Sequence, residues 1–174
     1  MSLRDRLEAI EADIITLALD AIVNAANESL IMGGGVDGAI RRKAGMAMEE
    51  ELRRIGRCPT GSAVITCGAR LPAKFVIHTV APAFNDGGSQ QQKQQLLADC
   101  YRAALARADE HMIATLAFPC IGTGIYRWPA DMAAKIAFNA VVDHLEGCTM
   151  QTRIVFCCFS TADRERYEAL IAGM

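Results

Sequence analysis

At 174 residues the chain is read as one domain, residues 1–174, long enough to bury a core without disulfide or metal staples. Its 52% hydrophobic and 22% charged residues exclude a disordered chain, and no apolar run approaches the length of a membrane span. With a formal net charge of −2, and with Arg41-Arg42-Lys43 and Arg53-Arg54 set beside acids, nucleic acid is not expected as the main partner.

Strand-like and helix-like runs alternate along the chain. Leu7–Ile10 is a first strand candidate, and Asp20–Ala25 a short apolar run interrupted by Asn24. Val36–Ile55 reads as one helix, rich in Ala, Met and Glu. Ser62–Cys67 and Phe75–Val80 read as strands bounded by Gly or Pro, and with no helix between them they are expected to pair antiparallel. Asn85–Gln95 reads as a surface loop. Leu97, Cys100, Tyr101, Ala104, Leu105 and Ala108 then recur at i, i+3, i+4 within an amphipathic helix over Gln94–Ala108. Ile113–Phe118 is a buried strand, and Pro129–Leu145 a helix with Pro at its first position and Asp131 in its first turn. Arg153–Cys158 is the last strand and Ala162–Ala172 the last helix. This order predicts an α/β fold with a mixed, mostly parallel sheet covered on both faces, and a ligand site beyond the carboxyl ends of the strands.

The seven cysteines are odd in number, form no C-x-x-C pair and sit mostly in apolar stretches, where a thiol behaves as a small hydrophobe. With no signal peptide in view, a reducing cytoplasm is the expected compartment. The Cys and His spacing does not suggest structural zinc, and no acidic cluster suggests another metal, so neither a metal nor a cofactor is expected.

Two loops carry the chemistry. The first runs from Asn24 through Asn27 and Gly33-Gly34-Gly35-Val36-Asp37-Gly38, out of a strand and into a helix. The second, Pro119 to Tyr126, holds Gly122-Thr123-Gly124-Ile125-Tyr126 between another strand and helix. Glycine lets backbone N–H groups approach a phosphate closely and form anion nests, and a helix N-terminus adds unpaired donors and a favourable dipole. Gly33 to Gly38 also fits G-x-G-x-x-G, but that fingerprint follows its strand at once and needs an acid about 20 residues on, where this chain has Arg57-Cys58-Pro59-Thr60. A Walker A loop fails because Ala39 stands where Lys is required. Asn24, Asn27 and Asp37 bracket the first loop. Singly, Asn24 suits a strand-end turn and Asp37 a helix start; together they supply an amide and a carboxylate beside a phosphate loop. His78 falls inside a strand run and reads as a core histidine. Ser29, Cys120 and Thr123 have no base nearby in sequence, so covalent catalysis is not expected.

Asn24-Ala-Ala-Asn27, Gly33-Gly-Gly-Val-Asp37-Gly-Ala-Ile40 and Ala44-Gly45 resemble the MacroD-type macrodomains. Cys58-Pro-Thr-Gly61-Ser-Ala-Val, Leu71-Pro-Ala-Lys, His78-Thr-Val-Ala-Pro82 and Phe118-Pro-Cys-Ile-Gly-Thr-Gly-Ile-Tyr126 extend the likeness over about residues 8 to 172. The resemblance implies a three-layer α/β/α domain that binds ADP-ribose. It also implies deacetylation of O-acetyl-ADP-ribose, release of ADP-ribose from acidic side chains of modified proteins, or both, with a non-catalytic ADP-ribose-binding reader module as the alternative. By the same resemblance, Asp13 meets the adenine amino group with Ile14 beside it, and Phe159 stacks on adenine. Gly33 to Val36 and Gly122 to Tyr126 hold the diphosphate, Asn27 and Asp37 stand at the distal ribose as the catalytic pair, and Tyr126 packs on that ribose. The sequence departs from the pattern at Ala12 (usually Gly), Met32 (often Gly), Arg41 (often His), Gly122 (often Ser), Arg127 (often Gly) and Ser160 (often Asp). Arg41, Met32 and Arg127 are expected nearest the distal ribose.

Overall fold

The computed structural model describes residues 1–150 and 152–174. Six strands form one mixed sheet: β1 (Leu7–Glu11), β2 (Ala21–Ala25), β3 (Ala63–Cys67), β4 (Phe75–Thr79), β5 (Thr115–Phe118) and β6 (Arg153–Cys158). Their spatial order is β1-β6-β5-β2-β4-β3. Every pairing is parallel except β3 with β4, where Val64 lies opposite His78 in the expected antiparallel pair.

Helices cover both faces. On one, α1 (Gly35–Ala44) and α2 (Met46–Ile55) bury Ile40, Ala44, Met48 and Leu52 against Ile22, Val76 and Val155 of the sheet. On the other, α3 (Gln90–Glu110), α4 (Ala130–Gly147) and α5 (Thr161–Ala172) bury Leu97, Tyr101, Ala137, Val141 and Tyr167 against Val23, Ile77, Leu116 and Phe156. Successive strand residues therefore serve opposite cores, which is why these strands read as continuous apolar runs without polar alternation. The three-layer α/β/α expectation holds.

Several strand and helix ends shift by one or two residues from the sequence reading, and three differences have a clear local cause. The single helix expected over Val36–Ile55 is two, broken at Gly45, whose φ of +84° leaves the helical region while its N–H caps Arg41 O at 3.0 Å. The expected loop through Gln95 ends at Ser89, because Ser89 and Gln92 form a reciprocal capping box that starts α3 at Gln90. Pro129 is the residue before α4, so Ala130, and not Pro129, opens that helix. Short 3₁₀ turns at Arg4–Arg6 and Ile14–Thr16 carry no strong sequence pattern and were not expected. Among the described residues no helix is long and apolar enough to cross a membrane.

Candidate active site

The carboxyl ends of β2, β5 and β6 are neighbours in the sheet, so the segments leaving them meet around one cleft. The cleft has a volume of about 380 Å³. Asn27, Gly33 to Asp37, Gly122 to Tyr126 and Phe159 line it, with Ala25, Ala26, Pro119, Cys120 and Asp163. That size suits a small-molecule ligand. No Lys or Arg lines it, and its charged residues are Asp37 and Asp163. An anion bound here would have to be held by backbone N–H groups and by the start of α1, which opens from Gly34.

The glycines have distinct reasons. A Cβ on Gly34 or Gly35 would meet nothing within 4 Å, and Gly35 has φ +56°, so both present bare backbone to the cleft. Gly122 has φ +87°, and a Cβ there would lie 2.7 Å from Trp128 Cδ1. Trp128 is fixed in turn by its Nε1–H, which donates to Pro82 O at 2.8 Å. This contact accounts for glycine at a position where the resembling family often has Ser.

Gly33 sits between the two proposed catalytic side chains. The point where its Cβ would begin is 3.5 Å from Asp37 Oδ2 and 3.8 Å from Asn27 Nδ2. Asn27 closes its own turn: Nδ2 donates to Ile31 O at 2.6 Å, and Oδ1 accepts from Ile31 N–H at 3.2 Å. Asp37, only 4% exposed, is held from both sides. Its Oδ2 accepts from Gly33 N–H at 2.6 Å and its Oδ1 from Asn24 Nδ2 at 2.7 Å.

Behind Asp37 a buried polar chain runs into the sheet. Asn24 Nδ2 lies 3.0 Å from His78 Nδ1, its register partner on β4, and His78 Nε2 lies 2.9 Å from Thr66 Oγ1. Thr66 Oγ1 donates to Cys67 O at 3.1 Å, so it accepts from His78 Nε2–H. His78 Nδ1 is then an acceptor for one Asn24 N–H, while the other faces Asp37. Burial pushes the His78 pKa down to about 3, with the Arg41 charge adding to the shift, so the ring is neutral and the tautomer is consistent along the chain. His78 is thus the core histidine expected from sequence.

Some expected site residues stand elsewhere. Asn24 is fully buried and does not line the cleft, because β2 turns it toward the α1 face, where it supports Asp37. Asp13 is exposed at the end of β1 beyond the cleft lining, its Oδ1 accepting from Ile15 N–H at 3.2 Å, and Ile14 is buried beneath it in the α1 and α2 core. Arg41 does not line the cleft but stands directly behind Asp37. It is buried between α1 and α2, with Nε and Nη2 on Glu49 at 2.5 and 2.6 Å, Nη2 on Leu30 O at 3.0 Å, and Nη1 3.6 Å from Asp37 Oδ1. Arg127 is exposed with φ +60°, a conformation for which glycine is the unstrained choice. Phe159, by contrast, projects at the cleft mouth with 64% exposure, and Ile125 is more exposed still. Two such apolar side chains at a cleft rim suit a flat, partly apolar ligand group. Burial holds the Tyr126 phenol above its ordinary range, so it stays protonated against the cleft wall. The sequence reading missed Asp163, whose signal was Ser160 three residues earlier, an N-cap accepting from Asp163 N–H at 3.1 Å.

The three-layer α/β/α domain brings two glycine loops and an amide–carboxylate pair together at one sheet end, an arrangement suited to a phosphorylated ligand. A family profile described as the Macro domain matches residues 23–137, and the chain belongs to that family. It is 46% identical over 168 residues to an ADP-ribose glycohydrolase (MACROD2) of Xenopus laevis, covering 96% of this chain and 40% of that protein. It is 42% identical over 173 residues to an O-acetyl-ADP-ribose deacetylase of Escherichia fergusonii, covering 97% of each. A solved Oceanobacillus iheyensis macrodomain with ADP superposes with a TM-score of 0.89 at 35% identity, covering 97% of this chain and 93% of that one.

Proposed function

We propose that the cleft binds ADP-ribose and that the protein hydrolyses ADP-ribose esters. It removes the acetyl group from O-acetyl-ADP-ribose, releases ADP-ribose from acidic side chains of modified proteins, or does both. The observation that carries this reading is one cleft lined by both glycine loops, with Asn27 and Asp37 flanking Gly33. The named activities of the two relatives, and the ADP of the solved neighbour, support the same ligand class.

In this reading the diphosphate lies on the backbone N–H groups of Gly33 to Val36 and Gly122 to Tyr126. Adenine stacks on Phe159, and the free carboxylate oxygen of Asp13 accepts from the adenine amino group. Tyr126 packs on the distal ribose, and the unengaged N–H and lone pair of Asn27 orient its hydroxyls. Asp37 accepts a proton from water as the water oxygen adds to the ester carbonyl carbon, and returns it to the ribose oxygen, which leaves as the alcohol. If the water adds to the ribose carbon instead, the acidic side chain leaves as its carboxylate and the proton passes from Asp37 to solvent. Hydrogen bonds from Asn24 and Gly33 fix the Asp37 carboxylate for that task. No metal or cofactor takes part, so ADP-ribose binding persists in EDTA. A reducing cytoplasm suits the seven free thiols.

Mass spectrometry of O-acetyl-ADP-ribose and of an ester-linked ADP-ribosylated protein, each incubated with the wild-type chain, tests this. ADP-ribose should accumulate from at least one. Tight ADP-ribose binding by calorimetry with both esters intact would make the domain a non-catalytic reader.

A further inference from the structure

At the opposite pole of the sheet, near the amino ends of β5 and β6, three side chains of different chemistry converge. Asp109 lies in the last turn of α3, His144 in the last turn of α4, and Cys148 directly follows α4. His144 Nε2 is 3.0 Å from Asp109 Oδ2, and Cys148 Sγ is 3.8 Å from Asp109 Oδ1. One donor atom from each residue lies within 4.8 Å of the other two.

These separations are close to the edges of a zinc tetrahedron. Metal bonds of about 2.0–2.2 Å to nitrogen and oxygen and about 2.3 Å to sulfur, at tetrahedral angles, put N and O about 3.3 Å apart and S and O about 3.5 Å apart. The two observed contacts, which end on different oxygens of the Asp109 carboxylate, are each within a few tenths of an ångström of these values. His144 and Cys148 are one helical turn apart, which brings them to one side of the end of α4. The expectation that no Cys and His are spaced for zinc passes over this His-x-x-x-Cys pair, and Asp109 joins it only through the packing of α3 on α4.

The surroundings favour a cation. Two helices end here, so the negative poles of both dipoles and their last carbonyls face the same region. Asp143 lines the recess with the three residues, and no Lys or Arg does. All three donors are half-buried, so a fourth position can be taken by water. An ion pair accounts for Asp109 with His144 and a thiol hydrogen bond for Asp109 with Cys148; what singles the cluster out is that imidazole, thiol and carboxylate converge in one half-buried recess.

We propose that Asp109, His144 and Cys148 form a binding site for a zinc-class divalent cation, distinct from the ligand cleft. On binding, the Cys148 thiol releases its proton to solvent as the metal–sulfur bond forms. His144 donates the Nε2 lone pair, Asp109 its carboxylate, and water the fourth ligand; no group is oxidised or reduced. The cation ties the end of α3 to the end of α4 and stabilises the native chain by mass action.

The test is titration of Zn²⁺ alone, against a chromophoric chelator, into the full chain stripped of metal, with Co²⁺ as spectroscopic probe. One equivalent should bind, raise Tm and, for Co²⁺, give a sulfur-to-metal charge-transfer band. Cys148→Ser and His144→Ala should each weaken binding by about 100-fold or more. Both should keep the metal-free Tm within a few degrees, which separates loss of the site from loss of the fold. Cys67→Ser, a control at the exposed cysteine, should bind as wild type. Zn²⁺ binding that survives Cys148→Ser, or that is lost in Cys67→Ser, would overturn the site, as would the absence of a stoichiometric equivalent.

Discussion

Asp37 has two jobs in this structure, and they can be separated by measurement. Its carboxylate fastens the glycine loop through Gly33 N–H, and it lines the cleft. If it also takes the proton from water, Asp37→Ala should cut turnover by about 10²- to 10⁴-fold, the usual range for one acid–base group. ADP-ribose affinity should fall much less, since other backbone donors remain. Single-turnover rates and calorimetry on the same variant check the split, and equal losses in both would reduce Asp37 to a loop clamp. Asn27 and Asp37 both flank Gly33, so Asn27→Ala should act on the same step and the double variant should be less than additive. At the other end of the cleft, Phe159 is exposed, with no described residue covering it. Base stacking on an aromatic ring contributes about 1–3 kcal/mol, so Phe159→Ala should weaken ADP-ribose by about 5- to 150-fold. Unchanged calorimetric affinity would remove Phe159 from the site.

At the scale of elements, the second glycine loop depends on what lies beneath it. Gly122 adopts a left-handed backbone and leaves no space for a side chain above the Trp128 ring. Gly122→Ala should therefore destabilise the protein by about 1–3 kcal/mol, combining left-handed strain with displacement of a buried aromatic. It should also weaken ADP-ribose, because Trp128 N–H closes the loop onto Gly122 O at 2.9 Å. Denaturant melts and calorimetry on one preparation measure both, and wild-type values in each would show that the loop adapts. Glycine content marked this loop in the sequence, but Trp128, six residues on, gave no sign that it forms the floor.

For the whole molecule, acid sensitivity has a defined source. His78 titrates at an ordinary 6.5 when unfolded and near 3 when folded. Between those values the unfolded chain binds the extra proton, so stability rises with pH across the window and is lost as pH falls below about 6.5. At pH 5 the loss from this one group is about 2 kcal/mol. The Glu49 and Asp20 carboxyls, held low by hydrogen bonds from Arg41 and Lys74, add their losses only in the more acidic carboxylate range. A His78→Gln variant should show a flatter stability profile from pH 7.5 to 5 in urea melts. A variant profile as steep as wild type would assign the acid sensitivity elsewhere.

Much of this was legible in the linear order of residues, because local patterns fix local structure. Apolar runs with no polar alternation require a sheet covered on both faces, and glycines between a strand and a helix require exposed backbone at a strand end. The Asn24-to-Gly45 segment carried the core of the family likeness, and the later motifs extended it. Packing decided what those patterns leave open. Asn24 and Asn27 are three residues apart on one motif, yet the pleat of β2 buries the first against Asp37 and His78 and leaves the second on the cleft. Arg41 reads as one of a run of three cations on a solvated helix face, but the break at Gly45 folds α2 back so that Glu49 meets it, and it becomes a buried brace. His144 and Cys148 share the end of α4, and only the side-by-side packing of α3 on α4 brings Asp109, from the end of α3, beside them. In each case the deciding contact joins residues from separate elements, whose distance is set by the sheet order and the helix layers and not by spacing along the chain.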